Sequence, residues 1–209
     1  MNTSYENLIS FEGIDGCGKS TQIKLLSSYL HEKNISNKIV REPGGTELAE
    51  KIRTLLLDKS KKINEEEETL LFLSARASLV NEFIAPNLNK GKIVLCDRYI
   101  DSTVAYQGYG RGLNIDLINT FNKFATNDYS PSLTIIFDID PLIVHQRIIN
   151  RTLDRMEVEG LDFQTKIRKG YLNIAKNDTR YSIIECGDKS VEMIHLEVIN
   201  LINKYLERT

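Results

Sequence analysis

The sequence predicts an α/β protein in three layers, a five-stranded parallel sheet flanked by helices, and three features predict it. Ile93-Val94-Leu95-Cys96-Asp97 is an unbroken apolar run closed by a carboxylate, and Thr134-Ile135-Ile136-Phe137-Asp138 repeats it. Runs of this kind suit strands covered on both faces, which is the condition of a parallel sheet between helices. The strand-like runs alternate with stretches of helical period, as βαβ units do. Finally, Gly13 to Ser20 matches G-x-x-x-x-G-K-[ST] and lies between an apolar run and a helical pattern, where a phosphate-binding loop belongs.

The elements follow in order. Leu8-Ile9-Ser10-Phe11 reads as the first strand, and from Lys19 onward Ile23, Leu25, Leu26, Tyr29 and Leu30 recur at helical spacing. Lys38-Ile39-Val40-Arg41 is the second strand. Glu42-Pro43-Gly44-Gly45 breaks the pattern and Thr46 caps a helix with Leu48, Ile52, Leu55 and Leu56 on one face. The acidic run Glu65 to Glu68 is a helix start, because carboxylates in a first turn are favoured by the helix dipole. That helix carries Leu70, Leu71, Leu73, Ala77 and Leu79 towards Phe83, and Pro86 disturbs its end. After Ile93 to Asp97 and Thr134 to Asp138, Ser182-Ile183-Ile184-Glu185 is a weaker last strand. Helices fill Asp116 to Ala125, Pro141 to Asn150, Leu161 to Asn177 and Val191 to Leu206. Gly108-Tyr109-Gly110-Arg111-Gly112 follows no strand and reads as a flexible turn. Arg151 to Gly160, charged and weakly apolar, reads as a mobile loop. No repeat or long linker divides the chain, so 1–209 is expected to be one domain.

Composition narrows the function. The chain has 209 residues, 41% hydrophobic content and a formal net charge of -2, so no overall positive field draws it to nucleic acid or an anionic membrane. With no secretory leader pattern and no apolar run near the ~20 residues of a membrane span, a cytoplasmic protein is expected. Cys17, Cys96 and Cys186 are far apart and odd in number, which argues for reduced thiols rather than a disulfide framework or zinc site. Cys17, beside Lys19 at a helix start, could have thiolate character or could simply be small enough for the loop. His31, His145 and His195 are isolated and carry no assigned chemistry.

In an open α/β sheet the ligand crevice lies at the carboxyl ends of the strands. That gathers Gly13 to Ser20, Arg41 to Gly45 and Asp97-Arg98 into one expected site. In such a loop the backbone amides wrap nucleotide phosphates, Lys19 reaches the outer ones and the Ser20 hydroxyl binds Mg²⁺. Asp97 is then either the carboxylate that organises Mg²⁺ opposite Ser20 or an ordinary turn former. Arg41, Arg53, Arg76, Arg98, Arg111, Arg147, Arg151 and Arg155 exceed what one triphosphate needs, which suggests a second anionic substrate held by guanidinium forks. Tyr99, Ser102, Tyr106 and Gln107 could stack on a base and bond its edge, or could simply be packed.

Four motifs in this order, Phe11-Glu12-Gly13-Ile14-Asp15-Gly16-Cys17-Gly18-Lys19-Ser20-Thr21, Arg41-Glu42-Pro43-Gly44-Gly45-Thr46, Asp97-Arg98-Tyr99 with Ser102, Ala105, Tyr106 and Gln107, and Asp154-Arg155-Met156-Glu157, make the whole chain resemble the thymidylate kinase family, bacterial type. The resemblance implies a phosphate-loop NTPase fold with a short lid at 147–160, phosphoryl transfer from ATP to dTMP with Mg²⁺ as a step of dTTP biosynthesis, and a homodimer. It also implies roles for residues. Gly13, Ile14, Asp15, Gly16, Cys17, Gly18, Lys19, Ser20 and Thr21 would hold ATP, with Arg147 and Arg151, and Ser20 and Asp97 would place the metal. Glu12, Asp15, Glu42, Pro43, Arg53, Phe72, Arg76, Arg98, Ser102, Tyr106 and Gln107 would bind dTMP. In this set Arg53 and Arg98 clamp the phosphate, Phe72 stacks on thymine and Arg76 bonds its edge. Lys19, Arg155, Asp15 and Arg98 would be catalytic. Some family members carry a basic residue next to the loop Asp; here Gly16 stands there, which assigns the missing charge to Arg155 in the lid. A phosphate-loop switch protein and a kinase for another nucleoside monophosphate are the competing readings. The surplus arginines and the lack of an Asn-Lys-x-Asp motif count against the first.

Overall fold

The computed structural model describes residues 4–148, 154–176 and 178–207, with side chains from 7 to 146 in the first of these. Five strands, β1 (Ser4–Glu12), β2 (Asn37–Arg41), β3 (Ile93–Asp97), β4 (Ser130–Asp138) and β5 (Tyr181–Glu185), form one parallel sheet in the order β2-β3-β1-β4-β5. The register aligns Phe11 and Arg41 with Asp97. The three strand ends that sequence reasoning gathered therefore share one edge.

The sheet is dry on both faces, as its apolar runs require. On one side Ile9, Phe11, Leu95, Ile135 and Phe137 pack with Ile23, Leu26 and Leu30 of α1 (Lys19–Glu32) and Val198 and Ile202 of α9 (Val191–Leu206). On the other, Leu8, Val40, Val94 and Cys96 pack with Leu79, Val80 and Ile84. Alternate residues of one strand thus point to opposite helical layers. Burying each such side chain is worth about 1.5–3 kcal/mol.

The remaining helices are α2 (Glu47–Leu57), α3 (Glu65–Leu79), α4 (Ala85–Leu88), α5 (Ile100–Thr103), α6 (Ile115–Thr126), α7 (Pro141–Ile148) and α8 (Leu161–Ile174). Thr46 caps α2 through its side chain, and Asn64 with Glu67 forms a reciprocal capping box on α3, so the acidic run does open a helix.

Several expectations are corrected. The buried face of α2 is Ala49, Ile52 and Leu56, while Leu48 and Leu55 are exposed. Leu70 likewise faces out of α3, and the positions that point in include Glu68 and Arg76, charged residues buried by pairing. Pro86 does not end the helical run: Val80–Ile84 widens into a π-helical turn, and α4 continues beyond it. A wide turn is where a helix can absorb the proline's missing N–H and its bulk. The glycine stretch from 108 is no flexible turn. Val104–Gly110 is π-helical and packed: a Cβ on Gly110 would lie 2.7 Å from Phe163 Cε2. Glycine is there for close approach. Helix α8 ends at Ile174 rather than Asn177, and α7 is described to Ile148, with 149–150 outside the described residues.

Candidate active site

The loop after β1 turns sharply because glycine allows it. Gly13 has φ +137, and a Cβ there would meet the Phe137 carbonyl oxygen at 2.6 Å. Gly18, with φ 103, is the residue before α1 and lines the cleft, and it gives the first amides of α1 no side-chain cap. Lys19, 6% exposed, donates from Nζ to the carbonyls of Gly13 and Ile14 at 3.0 Å each and lies 3.5 Å from Cys17 Sγ. The ammonium is thus held against the loop it serves. Ile14 and Cys17 are buried beneath the loop, while Asp15, Gly16 and Thr21 line the cleft.

Ser20 Oγ donates to Asp97 Oδ2 at 2.5 Å, joining the first turn of α1 to the end of β3. Among the described residues no group of three or more His, Cys, Asp or Glu could hold a metal. A hydroxyl and a carboxylate side by side are nonetheless the donor set that fits Mg²⁺, which takes one or two protein oxygens and fills its shell with phosphate and water.

Beyond β3 the chain enters the left-handed region at Arg98, φ 71, a backbone strain for a residue with a Cβ. This turn aims the guanidinium back across β1. Its Nη2 donates to Asp15 Oδ1 at 2.7 Å and to Tyr106 OH at 2.9 Å, and its Nη1 to Ser102 Oγ at 3.2 Å and Tyr171 OH at 3.1 Å. Burial alone would raise the Asp15 carboxyl, but Arg98, then Lys19, outweigh it and hold it down at about 2. Below lies Glu12, fully buried, accepting from the Tyr99 amide at 2.7 Å, Ser102 Oγ at 2.6 Å and Tyr171 OH at 3.0 Å. Burial first, then the neighbouring Asp101, pushes its carboxyl up to about 7.

Arg41, Glu42 and Pro43 of the second-strand motif line the same cleft. Arg53 and Arg41 both donate to the Pro43 carbonyl, at 2.9 and 3.1 Å, and Arg41 forms a two-pronged pair with Glu50. Burial, then the charge of Arg41, lowers the Arg53 pKa. Glu42 is buried against Arg76 at 2.6 Å, and burial raises its carboxyl even so. The five N–H groups of Arg76 are all engaged, on Glu42, Thr103 Oγ1, Asn122 Oδ1 and the Tyr99 carbonyl. Arg76 does line the cleft, yet bonding a base edge would require sharing one of these donors. Phe72, Ser102, Tyr106 and Gln107 also line the cleft, whereas Tyr99 is core, with its hydroxyl on the Tyr129 carbonyl.

Together they line one cleft of about 630 Å³ that holds Lys19, Ser20, Asp97, Arg53, Phe72 and Arg98. Gly13, Ile14 and Cys17 shape the loop, and Glu12 supports the floor, without lining it. Arg155 departs from its expected place. It is 9% exposed, donates from Nε to the Leu56 carbonyl at 2.6 Å and sets Nη2 2.7 Å from Glu68 Oε2, an ion pair by distance although no N–H points along it. Tied to Leu56 and Glu68, Arg155 is not among the residues that line the cleft, so contact with a transferred group would need another conformation. Its neighbours Asp154, Met156 and Glu157 reach the cleft instead. The side chain of Arg147 and the whole of Arg151 lie outside the described residues. Sequence reasoning missed Tyr171 and Glu68. Each sits on a helix at a position that reads as core or as a capping carboxylate, and only the fold reveals its partners.

The comparisons with known proteins agree on one family. The sequence model of the thymidylate kinase family matches residues 11–198. A thymidylate kinase of Kosmotoga olearia is 47% identical over 193 residues, spanning 91% of this chain and 92% of that protein. One from Thermoanaerobacter sp. strain X514 is 44% identical over 198 residues, spanning 95% and 98%. The crystal structure of thymidylate kinase from Ehrlichia chaffeensis is similar with a TM-score of 0.78 at 38% identity, covering 95% of this chain and 98% of that one.

Proposed function

The chain belongs to the thymidylate kinase family and is a nucleoside monophosphate kinase that phosphorylates dTMP, and we propose that ATP is its donor, with Mg²⁺ held between Ser20 and Asp97. The observation that carries this reading is a cleft lined both by Lys19 of the phosphate loop and by two further cations, Arg53 and Arg98, more positive charge than one bound triphosphate needs. Two anionic substrates bound in it would bring their phosphates together.

On this reading the loop from Gly13 to Thr21 binds ATP, and Mg²⁺, when bound, neutralises charge on the donor phosphates. Lys19 turns from the Gly13 and Ile14 carbonyls to the outer phosphates. Arg98 and Arg53 grip the acceptor phosphate, and Asp15 holds Arg98 in line. Phe72 stacks on thymine, with Arg76, Ser102, Tyr106 and Gln107 around the nucleoside and Glu42 and Pro43 beside it. Phosphoryl transfer needs little covalent help from the protein, so positioning and fixed positive charge carry the rate. The chain works as one domain, 1–209, with 147–160 closing over the cleft and keeping water out. The family resemblance extends Arg147 and Arg151 to the ATP side.

The same reading makes the enzyme cytoplasmic and homodimeric. Among the described residues no helix is long and apolar enough to cross a membrane. Leu48, Leu55, Leu70, Leu117, Phe121 and Phe124, on α2, α3 and α6, are exposed, Phe124 at 86%; exposed apolar side chains on these three helices support a second copy of the chain as their partner.

The metal assignment is tested by titrating Mg²⁺ into the EDTA-treated enzyme with ATP and dTMP. Turnover is expected to be Mg²⁺-dependent, and Asp97→Asn to raise the Mg²⁺ needed for half-maximal rate at least tenfold. An unshifted Mg²⁺ curve in D97N would remove Asp97 from the site.

A further inference from the structure

Glu68 stands out among the buried charges the proposed mechanism does not use. It lies in the first turns of α3, is 1% exposed and sits one helical turn before Phe72, hence on the same face. Three side chains from two other parts of the chain converge on it. Gln107 Nε2 donates at 2.8 Å, Arg111 donates from Nε at 3.3 Å and Nη2 at 3.1 Å, and Arg155 Nη2 lies at 2.7 Å. Arg111 also pairs with Glu159 at 2.7 Å and packs over the Phe163 ring at 4.5 Å. Arg155 adds its bond to the Leu56 carbonyl at the end of α2. Two arginines and two carboxylates therefore close a charge-neutral cluster, with Glu68 at its buried centre.

What this cluster seats is the segment from Asp154 to Glu159. Asp154 Oδ1 accepts from the amides of Met156 and Glu157, and the Asp154 amide donates to Glu157 Oε2, so the segment closes on itself as a local reciprocal turn. The turn lays Asp154, Met156 and Glu157 along the cleft, and Met156 is 4% exposed. The contacts this cluster makes run to α2, α3 and the π-helical stretch that carries Gln107, the elements that also bring Arg53, Phe72 and Gln107 to the cleft. From this geometry we propose that Glu68 is a positioning residue of the acceptor site: it anchors the 154–159 segment through Arg155 and so shapes the pocket that receives dTMP. Arg155 is then the anchor of this segment rather than the group that meets the transferring phosphoryl. The proposal rests on the kinase reading above.

The test compares wild type, Glu68→Gln, Arg155→Met and the double variant, by steady-state kinetics in each substrate and by amide hydrogen exchange of 154–159. Glutamine keeps the volume of Glu68 and removes its charge. Each single variant is expected to raise KM for dTMP about tenfold, leave KM for ATP within twofold, and speed exchange of 154–159 at least tenfold. The double variant is expected to be no worse than the worse single one, because both break one anchor. Multiplying single losses would overturn the proposal, as would unchanged exchange. So would an R155M variant that loses kcat a hundredfold at saturating dTMP with KM unchanged, the mark of a transition-state contact. Should E68Q fail to fold, R155M alone carries the same exchange and KM readouts. If the wild type does not turn over dTMP, the kinase reading falls, while exchange, which needs no turnover, still decides the anchor.

Discussion

Replacing Arg98 by Ala separates substrate binding from local stability. Arg98 gives four hydrogen bonds, one of them to the ionised Asp15 at 2.7 Å, and its side chain is 14% exposed. In the proposed complex the same guanidinium reaches the acceptor phosphate, and a hydrogen bond to a charged group is worth about 1.5–3 kcal/mol. That converts to a rise of about 10- to 150-fold in KM for dTMP. The variant also strips Asp15 of its main counter-charge. A carboxyl held at about 2 instead of 3.8 contributes stability that is present above pH ~4 and lost as pH falls towards 2. With the Asp15 side chain 31% exposed, the discounted loss is about 1–2 kcal/mol near neutrality, or a few degrees in Tm for a chain of this size. Arg98→Gly isolates the backbone, since glycine tolerates φ 71 and should recover about 1 kcal/mol relative to Ala without recovering KM. The assay is coupled ADP release at saturating ATP across a dTMP series, with thermal melts from pH 3 to 8. A KM for dTMP within twofold of wild type in R98A would refute the phosphate-clamp reasoning.

Glu12 gives the opposite pH signature. Its carboxyl is raised from 4.5 to about 7, so its contribution is fully present below pH ~4.5 and is lost as pH rises through 7, a change on the order of 3 kcal/mol at most. Glu12→Gln should therefore flatten the fall in Tm between pH 5 and 8, and parallel Tm profiles for the two proteins would count against the shift. The exposed apolar side chains of α2, α3 and α6 give another test. Phe124→Glu should move the sedimentation coefficient from dimer to monomer, and an unchanged coefficient would place the subunit contact elsewhere.

What sequence reasoning could see followed from local chemistry. The runs Ile93 to Asp97 and Thr134 to Asp138 declared buried strands because they lack any polar face, and the Gly13 to Ser20 spacing fixed the loop, its strand and its helix. The register of β1, β2 and β3 then assembled the expected site residues around one cleft. Legibility failed where a residue's partner lies far along the chain. Leu48 and Leu55 look like a core face, but α2 turns Ala49, Ile52 and Leu56 inward, and apolar character alone does not say whether the partner is the core or another subunit. Glu68 reads as a helix-start carboxylate and Arg76 as a contact to the base, because nothing local says that Arg111, Arg155, Glu42 and Asn122 will enclose them. The glycines at 108 and 110 suggested freedom and instead mark close packing. Arg155 carried a role from its motif that its buried contacts do not supply.

The central claim, an ATP-dependent kinase whose acceptor is dTMP, is tested most directly by coupled ADP release with dTMP, dUMP, dCMP and dGMP offered in turn. Turnover is expected to be highest with dTMP, with dCMP and dGMP near the rate without acceptor. No turnover with dTMP, or a higher kcat/KM with another of the four, would contradict the account.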